Sequence, residues 1–187
     1  MIVYKNFEIQ NMPTAVALGY FDGVHIGHQK VIRQTVRLKK KGVIPTVFTF
    51  SNNPKAIANR FQEKRITSVE RKISIMENLG IEIMYIVDFL KVKNMFPEQF
   101  VRDILFKTLN AKYVVCGFNY HFGNNGNADA SDLKKICAQY GILVKVVKPV
   151  LFNDSPVSST RIRESLMVEN LSDAEFMMKE NYYRRDR

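Results

Sequence analysis

Leu18-Gly19-Tyr20-Phe21-Asp22-Gly23-Val24-His25-Ile26-Gly27-His28 is the stretch on which the fold turns. The apolar run that leads into it, Ala15-Val16-Ala17-Leu18, reads as a buried strand. Beyond it, from Gln29 to Lys41, Val31, Ile32, Thr35 and Leu38 recur at helical spacing, so the stretch is a strand-to-helix turn. Glycines at 19, 23 and 27 let the backbone take tight or positive-φ conformations and come close to a ligand. Free backbone N–H groups and the positive end of the helix dipole at such a turn favour an anion. With a first helical turn beginning near Val24, His25 and His28 share one face and can grip a phosphate chain from the same side. A plain junction with two solvent-facing histidines would not need this combination.

Outward from the turn, strand and helix patterns alternate. The expected strands are Thr14 to Gly19, Val43 to Phe50, Ile81 to Val87, Tyr113 to Gly117 and Ile142 to Lys148. The expected helices are Val24 to Lys41, capped by Gly42, then Ser68 to Leu79, opened by the capping box Thr67-x-x-Glu70 and closed by Gly80. Further helices follow: Pro97 to about Leu109 with Phe100, Ile104 and Leu105 inward, one capped by Ser131 or Asp132 and running to Tyr140, Arg161 to Val168, and about Ser172 to Asn181. Residues 1–13 are a lead-in that can pair at a sheet edge. The alternation predicts an α/β fold, an open, Rossmann-like parallel sheet with helices on both faces. Ligands of such sheets sit beyond the carboxyl ends of the strands, so the loops after Leu18, Phe50 and Cys116 should open onto one crevice. Residues 51–66 lack a period and are long for a loop, which suggests a functional flap.

The formal charge is +10, but the basic residues are scattered, clustering only at Arg37 to Lys41 and Arg184 to Arg187. The excess reads as attraction for small, highly phosphorylated substrates, with nucleic acid an unlikely partner. The sequence contains no apolar run long enough for a transmembrane helix, and Met1 to Glu8 lacks the order of a signal peptide, so no membrane association is expected. Cys116 and Cys137 have no metal-ligand spacing and read as reduced core residues, which points to the cytoplasm. No protein partner can be inferred.

Three other stretches can carry chemistry. Val157-Ser158-Ser159-Thr160-Arg161-Ile162-Arg163 offers hydroxyls and a guanidinium at a helix start; on these residues alone it is either an anion site or simply a capped helix, with Arg163 on another face and structural. Cys116 to Asn127 mixes aromatics with amides and glycines, suited to stacking on a flat ring, although Phe118 or Phe122 can equally tuck into the core. Phe48 and Phe50 read as core strand residues. His121 is isolated and is given no role.

Gly19 to His28, as Gly-x-Phe-Asp-Gly-x-His-x-Gly-His, resembles the signature of the HIGH-type nucleotidyltransferases, and in this form that of the bacterial FAD synthetases, which adenylate FMN. Ser158 to Arg163 resembles that family's Ser-Ser-Thr-x-Ile-Arg segment. Gly117 to Gly123 resembles its Gly-x-Asp-Phe-x-Phe-Gly segment, with Asn119 replacing Asp and Tyr120 replacing Phe, and Thr49 to Pro54 resembles its Thr-Phe-x-x-x-Pro segment. The resemblance implies a nucleotidyltransferase-type fold and a reaction of ATP with FMN giving FAD and pyrophosphate, with Mg²⁺ arriving on ATP. It implies ATP contacts from Gly19, Tyr20, Phe21, Asp22, Gly23, His25, Gly27, His28, Ser158, Ser159, Thr160 and Arg161, with His25, His28 and Arg161 acting in the transfer as donors and cations. It implies flavin contacts from Phe50, Asn52, Pro54, Asn59, Asn119, Tyr120 and Phe122, with Arg60 further along the flap. Asp22 is expected to brace its own turn or meet a ribose hydroxyl, not to act as base. The expected organisation is a single domain over residues 1–187 without a riboflavin kinase domain. Competing readings are transfer to another phosphate acceptor, such as nicotinamide mononucleotide or phosphopantetheine, and a non-catalytic nucleotide- or RNA-binding module.

Overall fold

Every residue of β2 (Thr14–Leu18) is buried, because the strand lies at the centre of the sheet with helices on both faces. The computed structural model describes residues 1–59 and 65–178. Six parallel strands stand in the order β1 (Ile2–Tyr4), β4 (Ile83–Val87), β3 (Ile44–Phe50), β2, β5 (Ala111–Gly117), β8 (Leu143–Val147). The lead-in does pair at an edge, Ile2 to Tyr4 running parallel to Ile83 to Tyr85. After β2 the chain adds β3 and β4 on one side, then crosses to build β5 and β8 on the other. The order therefore reverses at β2 and β5, and the switch-point crevice opens beyond Leu18 and Gly117.

Side chains alternate across the sheet, as strand geometry requires. On one face Ala17, Val47, Met84, Ile86 and Val115 pack with Val31 and Ile32 of α1 (Ile26–Arg37) and Ile75 and Met76 of α3 (Val69–Asn78). On the other, Val16, Leu18, Phe48, Tyr85 and Cys116 meet Phe100, Ile104 and Leu105 from the segment after Pro97, together with Leu133 and Cys137 of α5 (Ala130–Gln139). That segment begins as α4 (Pro97–Gln99) and continues as a wider π-helical stretch over Phe100–Thr108. Cys116 and Cys137 are free and buried. A third, smaller cluster of Val157, Ile162, Ala174 and Met177 joins α6 (Ser159–Met167) to α7 (Leu171–Met178) and reaches Ile26 and Ile66. Among the described residues no helix is long and apolar enough to cross a membrane.

Several boundaries differ from expectation for local reasons. The first helix starts at Ile26, not Val24: Gly23 and Val24 hold positive φ (80° and 36°) in a 3₁₀ turn, and His25 is extended, so a regular helix cannot begin earlier. α3 is capped by Ser68, whose Oγ accepts from the Arg71 N–H, and Thr67 is instead buried with its N–H given elsewhere. α5 is capped by Asp129, not Ser131 or Asp132; Asp132 reaches back to the Asp129 N–H and completes the capping box. Part of the supposed 51–66 flap is helical, α2 (Pro54–Asn59), and residues 60–64, with the Asn59 side chain and Arg60, lie outside the described residues.

Phe48, 1% exposed, holds Phe50, Tyr85 and Phe100 around it. Phe48→Ala is expected to lower unfolding free energy by about 3–5 kcal/mol, read from the urea midpoint at unchanged m-value.

Candidate functional site

The turn after β2 is a constrained object. Gly23 is the one glycine of the three with positive φ; Phe21 (φ 55°) and Val24 (φ 36°) take left-handed conformations without being glycine. Gly19 and Gly27 serve a different purpose. A Cβ on Gly19 would lie 2.8 Å from the Phe21 ring, and one on Gly27 would lie 3.1 Å from the His25 ring. Their missing side chains leave room for Phe21 and His25. Fewer backbone donors are free than expected, since the Gly19 N–H reaches the Phe48 carbonyl (3.4 Å) and the His28 N–H is taken by His25 Nδ1 (3.3 Å).

Asp22, 3% exposed, does brace structure, but not its own turn. Its carboxylate accepts from the N–H groups of Ile66 (3.1 Å) and Thr67 (3.2 Å) and pairs with the Arg163 guanidinium. The Asp22 carbonyl accepts from Ser159 Oγ at 2.8 Å. The glycine turn and the Ser158–Arg161 segment are thereby in direct contact. Ser158 caps α6 by accepting from the Arg161 N–H (3.3 Å), as its position implied, and Thr160 is exposed. Arg161 is more committed than expected. Its Nη1 donates to the carbonyls of Phe152 (3.1 Å), Ser155 (2.8 Å) and Pro156 (3.2 Å), fixing the hairpin of β9 (Leu151–Phe152) and β10 (Ser155–Pro156). In this arrangement it shapes its own loop.

The two histidines stack, ring centroids 3.5 Å apart and planes 20° from parallel, with the Phe21 edge 5.2 Å from His28. Burial pushes the His25 imidazole down to about 4. Burial, then His25, then the ammonium of Lys72 hold His28 well below the usual histidine range. Both are therefore neutral at pH 7, which leaves them hydrogen-bond donors and acceptors rather than cations. His28 Nδ1 is buried without a hydrogen-bond partner among the described residues, an unmet polar atom of the kind a ligand can satisfy.

The expected flavin residues fall at the ends of β3 and β5, either side of β2. Phe50 is half-buried against Phe48 (5.7 Å) and Phe89 (5.1 Å). Asn52 links the ends of β3 and β4, its amide donating to Asp88 (2.7 Å) and its oxygen accepting from the Phe89 N–H (2.8 Å), so its role here is to join strands. Pro54 opens α2. Asn119 is exposed, its amide oxygen close over Gly117. Tyr120 is half-buried and stacked on Phe122 (5.9 Å, 16°). Phe122 is corrected to a core residue, 6% exposed, packed on Phe100 (5.8 Å) in the hairpin of β6 (His121–Phe122) and β7 (Ala128–Asp129). The exposed ring of that loop is Phe118, at 46%.

Two residues escaped sequence reasoning. Arg163, expected only to be structural, is the partner of Asp22. Lys72 is buried on the inward face of α3, its Nζ 2.8 Å from the Tyr20 carbonyl and 4.4 Å from the Tyr20 ring centroid. A lysine at i, with Ile75 and Met76 at i+3 and i+4, was the available signal.

A parallel sheet whose switch point brings a glycine turn against a hydroxyl-bearing helix start is the layout of nucleotide-handling α/β proteins. The crystal structure of pantothenate synthetase from Thermus thermophilus, at 14% identity and TM-score 0.59 over 93% of this chain and 71% of that one, shares this fold. The crystal structure of a macrolide-efflux protein from Streptococcus pneumoniae superposes more closely, TM-score 0.82 at 29% identity, covering 95% of this chain and 60% of that one. The chain belongs to the FAD synthetase family, whose model matches residues 8–161. A bifunctional riboflavin kinase/FMN adenylyltransferase of Listeria monocytogenes is 35% identical over 171 residues, 89% of this chain and 54% of that protein. The protein of the same description from Buchnera aphidicola subsp. Schizaphis graminum is 34% identical over 166 residues, 87% and 53%. The chain thus spans about half the length of these relatives.

Neutral buried histidines tie stability to pH. His25 binds a proton at about 4 when folded and near 6.5 when unfolded, so acid favours the unfolded chain. The stability present above about pH 6.5 should be lost as pH falls towards 4, by about 3 kcal/mol for His25 alone. Urea midpoints at pH 7 and pH 5 test this, and His25→Asn should flatten the difference.

Proposed function

We propose that this chain transfers the adenylyl group of ATP to the phosphate of FMN, giving FAD and pyrophosphate. The observation that carries the reading is the direct contact between the glycine turn, with its stacked histidines, and the Ser158–Arg161 helix start, joined through Ser159 and Asp22. Family membership and the FMN adenylyltransferase relatives support it.

The chemistry asks little covalent help of the protein. A terminal phosphate is already largely dianionic at pH 7, its second pKa being about 6. It attacks the α-phosphorus of ATP; the new P–O bond forms as the bond from the α-phosphorus to its bridging oxygen breaks, and the electron pair leaves with pyrophosphate. No general base is needed. The protein must hold two polyanions together and meet charge growing on the departing group. His25 accepts the His28 N–H at Nδ1, so its own proton lies on Nε2, and this neutral imidazole acts as a donor. His28, Ser158, Thr160 and Arg161 complete the phosphate side. Phe50, Pro54, Asn119 and Tyr120, with exposed Phe118, line the flavin side. Asp22, paired with Arg163, serves to brace the site rather than as a base. Mg²⁺ would come as the companion of ATP, bound by its phosphates and retained waters. The free, buried cysteines suit a cytoplasmic setting.

Incubation of the protein with ATP, MgCl₂ and FMN should yield FAD and pyrophosphate in equal amounts. Nicotinamide mononucleotide and phosphopantetheine should give no pyrophosphate, and release from either in place of FMN would move the acceptor assignment. His28→Ala should lower kcat by about 10²–10³ with FMN affinity retained; unchanged turnover removes His28 from the transfer.

A further inference from the structure

We propose that Lys72 is a positioning residue of the adenylyl-transfer site, one that holds the glycine turn in its strained shape from beneath, through Tyr20, and so sets affinity for ATP. This rests on the reading of the site given above.

Lys72 is 4% exposed, on the inward face of α3 among Ile75 and Met76. Burying an ammonium is unfavourable unless other groups compensate, and a methionine would fill the same space without that cost. Its compensation comes from the glycine turn. Nζ donates to the Tyr20 carbonyl at 2.8 Å, lies over the Tyr20 ring at 4.4 Å, and feels the Asp22 carboxylate. The same carbonyl accepts from Thr49 Oγ1 at 2.9 Å, so two donors from different elements fix the peptide just before Phe21. The next residues hold positive φ at Phe21 and Val24, conformations that persist in residues with a Cβ only where surrounding contacts over-determine them. Asp22 fixes the far side of that segment; Lys72 and Thr49 fix the near side.

Charge points the same way. Both imidazoles of the turn are neutral, and Arg163 is matched by Asp22. The Lys72 ammonium is thus a buried positive charge beneath a turn suited to an anion, and its field already acts on His28. Among the described residues, the titratable and charged groups that face it are Tyr20 and Asp22 from the turn, His28 from α1, and Arg65 from the segment before α3. Burial is the main cause that brings its own proton affinity down to about 8, so it is charged at pH 7 and loses its proton over a range where ATP does not titrate.

The test is calorimetric titration of the full chain with Mg·ATP, alongside melting curves and FAD formation, for wild type, Lys72→Met and Lys72→Arg. Lys72→Met should melt cooperatively and bind ATP about tenfold more weakly, the scale of one charge-assisted hydrogen bond, with FMN affinity unchanged. Lys72→Arg should recover most of the affinity. Wild-type ATP affinity should fall as pH rises through about 8, and Lys72→Arg should stay level over that range. Equal ATP affinity in Lys72→Met and wild type, or a wild-type profile flat across pH 8, overturns the proposal. Should Lys72→Met fail to fold, the wild-type profile and Lys72→Arg decide alone. If no FAD forms from FMN but ATP affinity still follows the charge at position 72, the acceptor reading fails and this inference stands; if FAD forms and ATP affinity ignores that charge, only this inference fails.

Discussion

The carboxylate of Asp22, buried at the foot of the glycine turn, accepts from the backbone of Ile66 and Thr67 and meets the guanidinium of Arg163. Those partners come from the approach to α3 and from α6, elements far apart in sequence. A charge taken out of water persists only if its lone pairs are filled, so the turn, the end of the 51–66 segment and the α6 helix must arrive together. The Ser159 hydroxyl on the Asp22 carbonyl repeats that constraint on the main chain. The two halves of the candidate phosphate site are thus parts of one polar assembly rather than neighbours by chance.

The same assembly explains why the turn tolerates its backbone. Left-handed conformations at Phe21 and Val24 are unfavourable for residues with a Cβ. Phe21 is kept there by its buried ring, which sits where a Gly19 side chain would otherwise be. The neutral state of His25 and His28 follows from this packing, since stacked rings enclosed by Phe21 have lost the water that would support a charge. Donors that stay uncharged can approach a phosphate without having to break an ion pair first.

Much of this was legible from residues alone. Alternating strand and helix signals gave the parallel sheet, and the spacing of Phe100, Ile104 and Leu105 gave their burial. The turn was found because glycine and histidine carry distinctive chemistry at short range. What could not be read was where long-range polar partners lie. Nothing local in Asp22 points to Arg163, 141 residues on, and Lys72 looks like any surface lysine until α3 is laid against the sheet. Helix starts shifted for the same kind of reason: Thr67 and Glu70 spell a capping box, yet Asp22 claims the Thr67 N–H and leaves Ser68 to cap. Phe118 and Phe122 could not be told apart by sequence, because which ring faces the core depends on the small β6–β7 hairpin.

Burial of the whole of β2 separates two kinds of evolutionary freedom. A strand with its two faces covered, and built of Thr14, Ala15, Val16, Ala17 and Leu18, admits few replacements, because any larger side chain would push a helix off the sheet. The connectors that leave the ends of β3 and β5 carry less of that burden, with Phe122 and Thr67 the buried exceptions. A replacement at the rim of the sheet therefore disturbs one loop, whereas one in the central strand disturbs both layers of helices at once.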